Sequence, residues 1–338
     1  MPQNKNSEWY FIDEHTIRYK LFQVVRDMGY EVIAPTKEEE SFILKIIKDP
    51  NQIVFDYIRT LNNIKHFLYP NNQVLYSWRR NENEYQVVEE KVESRKLAFF
   101  AIHPCEANAL DVLDKVLLDN PPDPYYKQRR ENILVVVLDC TKSDEHCFCE
   151  SVDSRIPREG TYDLWIVPID KNFVVKAGSE RGLKIIKLLN LVKSSEPQIR
   201  RFNTYIKLSD VLNTLERLYD DPIWTKESDK CLLCGACIAS CPTCTCFDII
   251  DSVAPTLDRG SRKRIWYPCI FRTFTMITGG KVIMREPHER FKHRYYHKLV
   301  FFKNRYGIYG CTGCGRCSAI CPNDIKMIEI VKEVISNA

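Results

Sequence analysis

No apolar run in these 338 residues approaches the roughly 20 that a membrane helix needs. The opening stretch, Met1-Pro-Gln-Asn-Lys-Asn-Ser7, is polar and has no apolar core of a secretory signal. There is no Walker A motif, no Gly-x-Gly-x-x-Gly following a strand pattern, and no triad of nucleophile, base and acid. These absences argue against the usual nucleotide and flavin sites, and they predict a cytoplasmic protein without membrane insertion. Strong charge of one sign is also missing: 49 Lys and Arg face 45 Asp and Glu, a formal net charge of +4. The balance gives little reason to expect a nucleic-acid partner. With 44% hydrophobic and 28% charged residues, the composition is that of an ordinary globular chain, long enough for two domains or three.

What the chain does have is 15 cysteines. Without a signal peptide, so many point to metal ligation in a reducing compartment rather than to disulfides. Eight fall in two copies of one pattern, C-x2-C-x2-C-x3-C-P. The first is Cys231, Cys234, Cys237 and Cys241 before Pro242; the second is Cys311, Cys314, Cys317 and Cys321 before Pro322. This spacing suits a pair of [4Fe–4S] clusters. Three cysteines two residues apart wrap one cubane, and the fourth, turned away by its proline, reaches the other. Cluster I would take Cys231, Cys234, Cys237 and Cys321; cluster II would take Cys311, Cys314, Cys317 and Cys241. Zinc is the competing reading, but zinc sites are usually two C-x2-C pairs. Each cluster with four thiolates carries about −2, so two bring the net charge to about 0 and three to about −2.

Ahead of these motifs, the pattern is α/β. A helix is expected over Ile17–Met28 and a strand over Glu31–Ala34, while Arg79–Glu93 reads as an exposed hairpin or loop. Ala98–Ile102, Ile133–Leu138 and Leu164–Val167 are unbroken apolar runs, as in strands buried on both faces of a parallel sheet. Between the first two, Glu106–Leu118 reads as a helix, stopped by Asn120-Pro-Pro-Asp-Pro124. Phe173–Val175 continues the pattern. Two more helices follow, one capped by Ser179 and one near Leu208–Tyr219. The expected architecture is an α/β domain with a mostly parallel sheet over 1–222, then a mainly helical ferredoxin-type dicluster domain over 223–338.

Cys105 follows the first apolar run and Cys140 ends the second, with Cys147 and Cys149 just beyond. Ligands of open parallel sheets collect outside the carboxyl ends of strands. These four are candidates for a third [4Fe–4S] cluster, with zinc (drawing on His146) or plain buried thiols as alternatives. Cys244, Cys246 and Cys269 lie in the stretch of about 70 residues between the two motifs and have no assigned partner. Residues 281–305 are basic and aromatic. They read as a solvated or docking surface, as compensation for negative clusters, or, from a different functional class, as a nucleic-acid face.

Several stretches together resemble one family: His103-Pro104-Cys105, Asp123-Pro-Tyr-Tyr126, Cys147-Phe-Cys149, Gly178-Ser-Glu-Arg-Gly182, Cys241-Pro-Thr-Cys244, Cys246-Phe-Asp248 and Tyr296-His-Lys298. From about Ala98 to Asp324 the chain is similar to the β subunit of cytoplasmic [NiFe] hydrogenases of the sulfhydrogenase type, and equally to the iron–sulfur electron-transfer subunit of anaerobic sulfite reductase. The family's turn usually reads Arg-Pro-Cys, where this chain has His103. The resemblance implies a subunit with no catalytic site of its own. It would relay electrons between an NAD(P)H-linked subunit with FAD and [2Fe–2S] and a catalytic partner, either [NiFe] hydrogenase subunits or a sirohaem sulfite reductase. One asymmetry is expected. The cluster I loop is apolar at Leu232, Leu233 and Ala236, whereas cluster II has Thr312 and Arg316. A nearby cation and more water favour the reduced state, so cluster II should have the higher potential. A redox titration followed by EPR, with Cys234→Ser or Cys314→Ser removing one cluster at a time, measures the order.

Overall fold

The computed structural model describes residues 8–82, 84–91, 95–202 and 206–336. The opening stretch read for a signal, and residues 83, 92 and 93 of the expected hairpin, lie outside them. Among the described residues the strands are β1 (Trp9–Ile12), β2 (Glu31–Glu38), β3 (Ser41–Ile47), β4 (Asn72–Asn81), β5 (Glu84–Glu89), β6 (Leu97–Ile102), β7 (Ile133–Leu138), β8 (Leu164–Ile169), β9 (Asn172–Ala177), β10 (Lys193–Ser194), β11 (Phe247–Val253) and β12 (Arg259–Trp266). Eight of them form one sheet in the order β10-β1-β9-β8-β7-β6-β2-β3. Its centre, β2-β6-β7-β8, is parallel, and the flanking pairs are antiparallel.

The parallel centre follows from the unbroken apolar runs. Every residue of β6 and β7 is buried. Phe99, Ile102, Val135 and Val137 enter one core, while Ala98, Phe100, Leu134 and Val136 enter another on the opposite face. The helix Pro104–Leu117 covers the first face with Leu110, Leu113 and Leu117. The helix Glu180–Leu188 covers the second with Ile185 and Ile186. Ser179 caps that helix by accepting from the Gly182 amide at 3.1 Å. Burying one such side chain is worth about 1.5–3 kcal/mol, against ~0–1 kcal/mol for a surface ion pair such as Lys45–Glu38, so burial holds this sheet together.

β6 does not run straight into its turn. Ala101 has φ of 58° and the register with β7 shifts between Phe100 and Ile102. This bulge re-aims the chain just before His103-Pro104-Cys105. The Tyr57 hydroxyl donates to the Ala101 carbonyl at 2.8 Å and steadies it.

A smaller antiparallel sheet, β11-β12-β4-β5, joins the two halves of the chain. The stretch between the cysteine motifs thus contains a hairpin, Phe247–Val253 with Arg259–Trp266, that composition alone did not reveal. The rest of the C-terminal region is helical. Ile223–Ser228, Pro287–Tyr296 and Met327–Ser336 pack around Trp224, Phe291, Tyr295 and Val331. Phe148 and Val152, from the connection between β7 and β8, enter that same core. No helix among the described residues is long and apolar enough to cross a membrane.

Candidate metal centre

The two cysteine motifs fold into matching loops. In the first, Leu233 and Gly235 have φ of 53° and 79°; in the second, Gly313 and Gly315 have 63° and 73°. The Leu233 amide donates to Cys231 Sγ at 3.4 Å and the Gly313 amide donates to Cys311 Sγ at 3.4 Å. A one-turn helix follows each loop, Ala236–Ala239 and Arg316–Ala319. The left-handed residues turn successive cysteines inward, and amides aimed at sulfur suit thiolates that carry charge.

Cys231, Cys234, Cys237 and the remote Cys321 line one cavity, with Cys317 on its wall. Cys311 and Cys314 lie in the field of the remote Cys241 and of Cys317. The structure thus places Cys321 with the first loop and Cys241 with the second. Among the described residues no three cysteine, histidine or carboxylate side chains converge on a point as they would around a single ion. Cubane ligands bind different irons and stand around the cluster, so a cubane does not require them to converge on one point. Burial pushes the Cys237 and Cys314 thiols up to about 11 and Cys311 up to about 12. Binding metal here must release protons.

Residues 281–305 correct the surface reading in part, since Lys281, Arg285 and Arg305 are exposed but four other cations are not. Arg290, Lys292, Arg294 and Lys298 are buried, because Phe291 and Tyr295 draw the helix Pro287–Tyr296 into the core and its cations follow. Arg294 is 6% exposed, and its Nε and Nη2 have no hydrogen-bond partner. It faces Cys237, Cys317 and Cys244. Lys298 donates to Thr243 Oγ1 at 2.8 Å and to the Gly310 carbonyl at 2.9 Å, and Thr243 Oγ1 lies 3.2 Å from Cys241 Sγ. A hydrogen bond from Cys244, and then the Lys298 charge, hold the Cys241 thiol well below its ordinary range despite burial. Uncompensated buried cations are costly. Anionic clusters between these loops would supply the missing charge, so the residues present fit the groups that the spacing implies.

The bulge in β6 delivers Cys105, and the end of β7 delivers Cys140. Cys105 lies in the field of Cys314, Cys140 and Cys149, and Cys149 in that of Cys140 and Cys147. Burial raises both thiols, with those neighbours adding to it. The four sequence candidates are thus brought together, beside the cluster II loop. Two arginines that sequence reasoning did not single out join them. Arg59 pairs with Asp144 and donates to Cys147 Sγ at 3.4 Å. Arg155 pairs with Asp139 and leaves Nη2 unpartnered, in the field of Cys140 and Cys149. No local pattern marks either one; only the fold carries them here. His103 is buried, stacked on Tyr57 at 4.1 Å, with its ring nitrogens 3.0 Å from the Leu138 and Tyr57 carbonyls. His146 is fixed through its backbone instead: its amide donates to Asp144 Oδ1 at 3.0 Å.

Residues 230–325 match the family model described as a 4Fe-4S dicluster domain. The chain is 28% identical to sulfhydrogenase 2 subunit beta of Pyrococcus furiosus over 328 residues, which span 93% of this chain and 95% of that protein. A shorter similarity, 26% over 111 residues, covers 33% of this chain and 24% of one subunit of the dihydromethanophenazine:CoB–CoM heterodisulfide reductase of Methanosarcina acetivorans. A dicluster domain takes two [4Fe–4S] clusters, in agreement with the two cysteine motifs.

Proposed function

We propose that this homologue of the sulfhydrogenase beta subunit, an iron–sulfur electron-transfer subunit, relays electrons between a flavin/[2Fe–2S] reductase subunit and the catalytic subunit of a cytoplasmic [NiFe] hydrogenase. In this reading Cys231, Cys234, Cys237 and Cys321 hold cluster I, and Cys311, Cys314, Cys317 and Cys241 hold cluster II. Cys105, Cys140, Cys147 and Cys149 hold a third cluster in the α/β domain over 1–222, with the dicluster domain over 223–338. When bound, such clusters take up and release one electron each.

One observation carries the reading: the three cysteine groups are contiguous. Cys237 faces Cys317, joining the first group to the second. Cys314 faces Cys105, joining the second to the third. Gly313 and Gly315 make the second junction tight, since a Cβ at either would lie 2.5 Å from backbone atoms of 146–149. Both ends of this line reach solvent. Cys234 and Leu232 are exposed at one; at the other, Cys140 opens with Arg200 onto a cavity of about 450 Å3. In the middle, Thr312 and Arg316 are buried and keep water from the thiols. Two exposed ends and a dry centre are what a relay between two partner chains requires.

The test uses the full chain purified without oxygen and recombined with purified hydrogenase catalytic subunits. Hydrogen should reduce the iron–sulfur centres in the mixture, as read by EPR. Cys105→Ser with Cys149→Ser should lose about four iron and four sulfide per chain while keeping the dicluster signals. Unchanged iron in that double variant rejects the third cluster. Oxidation of the reduced centres by sulfite through a sirohaem partner, with no reduction by hydrogen through the hydrogenase subunits, rejects the hydrogenase assignment.

A further inference from the structure

Three cysteines stand outside the twelve assigned above, and the fold does not scatter them. Cys244 and Cys246 follow the turn at Pro242 and lead into β11; Cys269 follows β12. The hairpin register pairs Phe247 with Trp266, and the Tyr267 amide donates to the Cys246 carbonyl at 3.1 Å. That register closes the base of the hairpin and brings the Cys269 thiol beside that of Cys246. On the other side, Cys244 makes the same contact with Cys241.

All three thiols open on one cavity of about 270 Å3, shared with Arg294, His297 and Lys298. The space between the cluster I cysteines is smaller, about 40 Å3. Two features separate this cavity from a packing defect lined by inert thiols. Arg294 is 6% exposed and lines the cavity with unpartnered Nε and Nη2. Lys298 is 3% exposed, and its hydrogen bonds go only to a hydroxyl and a carbonyl. A cavity walled by two buried cations and three thiols suits a bound anionic group with affinity for sulfur. Cys269 lies against Cys246, while Cys244 lies against Cys241, so the three do not surround one point and do not suit a single ion.

We propose that Cys244, Cys246 and Cys269 hold a further iron–sulfur cluster through three thiolates, with Arg294 and Lys298 offsetting its negative charge. The remaining iron has no cysteine. It faces the side of the cavity where His297 and Arg305 are exposed, so its ligand is an imidazole or a small anion from solvent. The contact between Cys244 and Cys241 sets this site against cluster II. Cluster II thereby has three neighbours, and the line of thiols branches there.

The test is independent of the third cluster. Full-length protein is purified without oxygen as wild type, as Cys246→Ser with Cys269→Ser, and as Cys105→Ser with Cys149→Ser. The first double variant should lose about four iron and four sulfide and keep the dicluster EPR signals. In the wild type, mild ferricyanide should take one electron from this cluster and release one Fe2+, the iron without cysteine. The three-iron EPR signal that results should persist in the Cys105/Cys149 variant and vanish from the Cys246/Cys269 variant. Full iron in the Cys246/Cys269 variant, or no three-iron signal from wild type, overturns the inference. Failure of the third cluster would show instead as full iron in the Cys105/Cys149 variant.

Discussion

Lys298→Met should lower the reduction potential of cluster II by about 100 mV and leave its iron in place. Reduction adds one negative charge to the cluster, so a nearby cation favours the reduced form and raises the potential. Lys298 is 3% exposed and has only Thr243 Oγ1 and the Gly310 carbonyl as partners. Burial opposes its charge, and the Cys241, Cys244 and Cys311 sulfurs more than restore it. At an effective dielectric of about 20, a unit charge several ångströms away is worth ~2 kcal/mol. For a one-electron couple, at 59 mV per tenfold, that is about 100 mV. Read from sequence, a higher cluster II potential depends on Arg316 and water instead. Arg316 pairs with Glu106 at 2.7 Å, which cancels most of its charge. Water reaches cluster I, where Leu232 is 63% exposed, rather than cluster II, where Thr312 is 2% exposed. The expected order thus rests on Lys298, and in Lys298→Met the two potentials should converge or invert. Methionine matches the lysine stem in length and removes an unpaired buried charge, so the fold should survive. A shift no larger than that of the half-exposed Lys332→Met would sink the idea.

Much of this was legible because two kinds of pattern are local. Cysteine spacing fixes which thiols can share a cubane, and the apolar runs of β6 and β7 fix a sheet buried on both faces. Cys105 and Cys140 could be placed together only because the carboxyl ends of neighbouring parallel strands are neighbours by construction. What was not legible is set by long-range packing. Arg290, Lys292, Arg294 and Lys298 read as surface because charge usually is surface; they are buried because Phe291 and Tyr295 anchor their helix in the core, where carbonyls receive Arg290 and Lys292 and thiols face Arg294 and Lys298. Arg59 pairs with Asp144, 85 residues away, and nothing near Arg59 announces it. The hairpin between the motifs was hidden because β11 is exposed along its whole length and shows no core-facing alternation. The sheet partner of that hairpin, β4, lies in a region whose sequence carries no chemical motif. The pairing of β12 with β4 nevertheless helps position the base where Cys246 and Cys269 meet.

Gly313→Ala should detach the third cysteine group from cluster II, costing about four iron per chain while the dicluster signals remain. The backbone alone does not demand glycine here. Leu233, at the matching position of the first loop, has φ of 53° and carries a full side chain. For an L residue the left-handed conformation costs ~1–2 kcal/mol, which a domain with about 5–15 kcal/mol of stability tolerates. The difference lies in what stands opposite. A Cβ on Gly313 would lie 2.5 Å from Cys149 N, Cys149 Cα and the Phe148 carbonyl carbon. Those are backbone atoms, and no rotamer change moves them. The Phe148 amide also donates to the Gly313 carbonyl at 2.9 Å, so the segments cannot part without losing that bond. Overpacking of this kind costs ~1–3 kcal/mol, and the easier relief is to push the 146–149 segment outward. That motion carries Cys147 and Cys149 away from Cys105 and Cys140. The comparison variant is Leu233→Gly, which removes a side chain at the matching position and should keep all its iron. Iron and sulfide counts with a thermal melt decide the matter. If Gly313→Ala keeps both its full iron and its wild-type melting temperature, the close approach of the two segments is not what holds the third group in place.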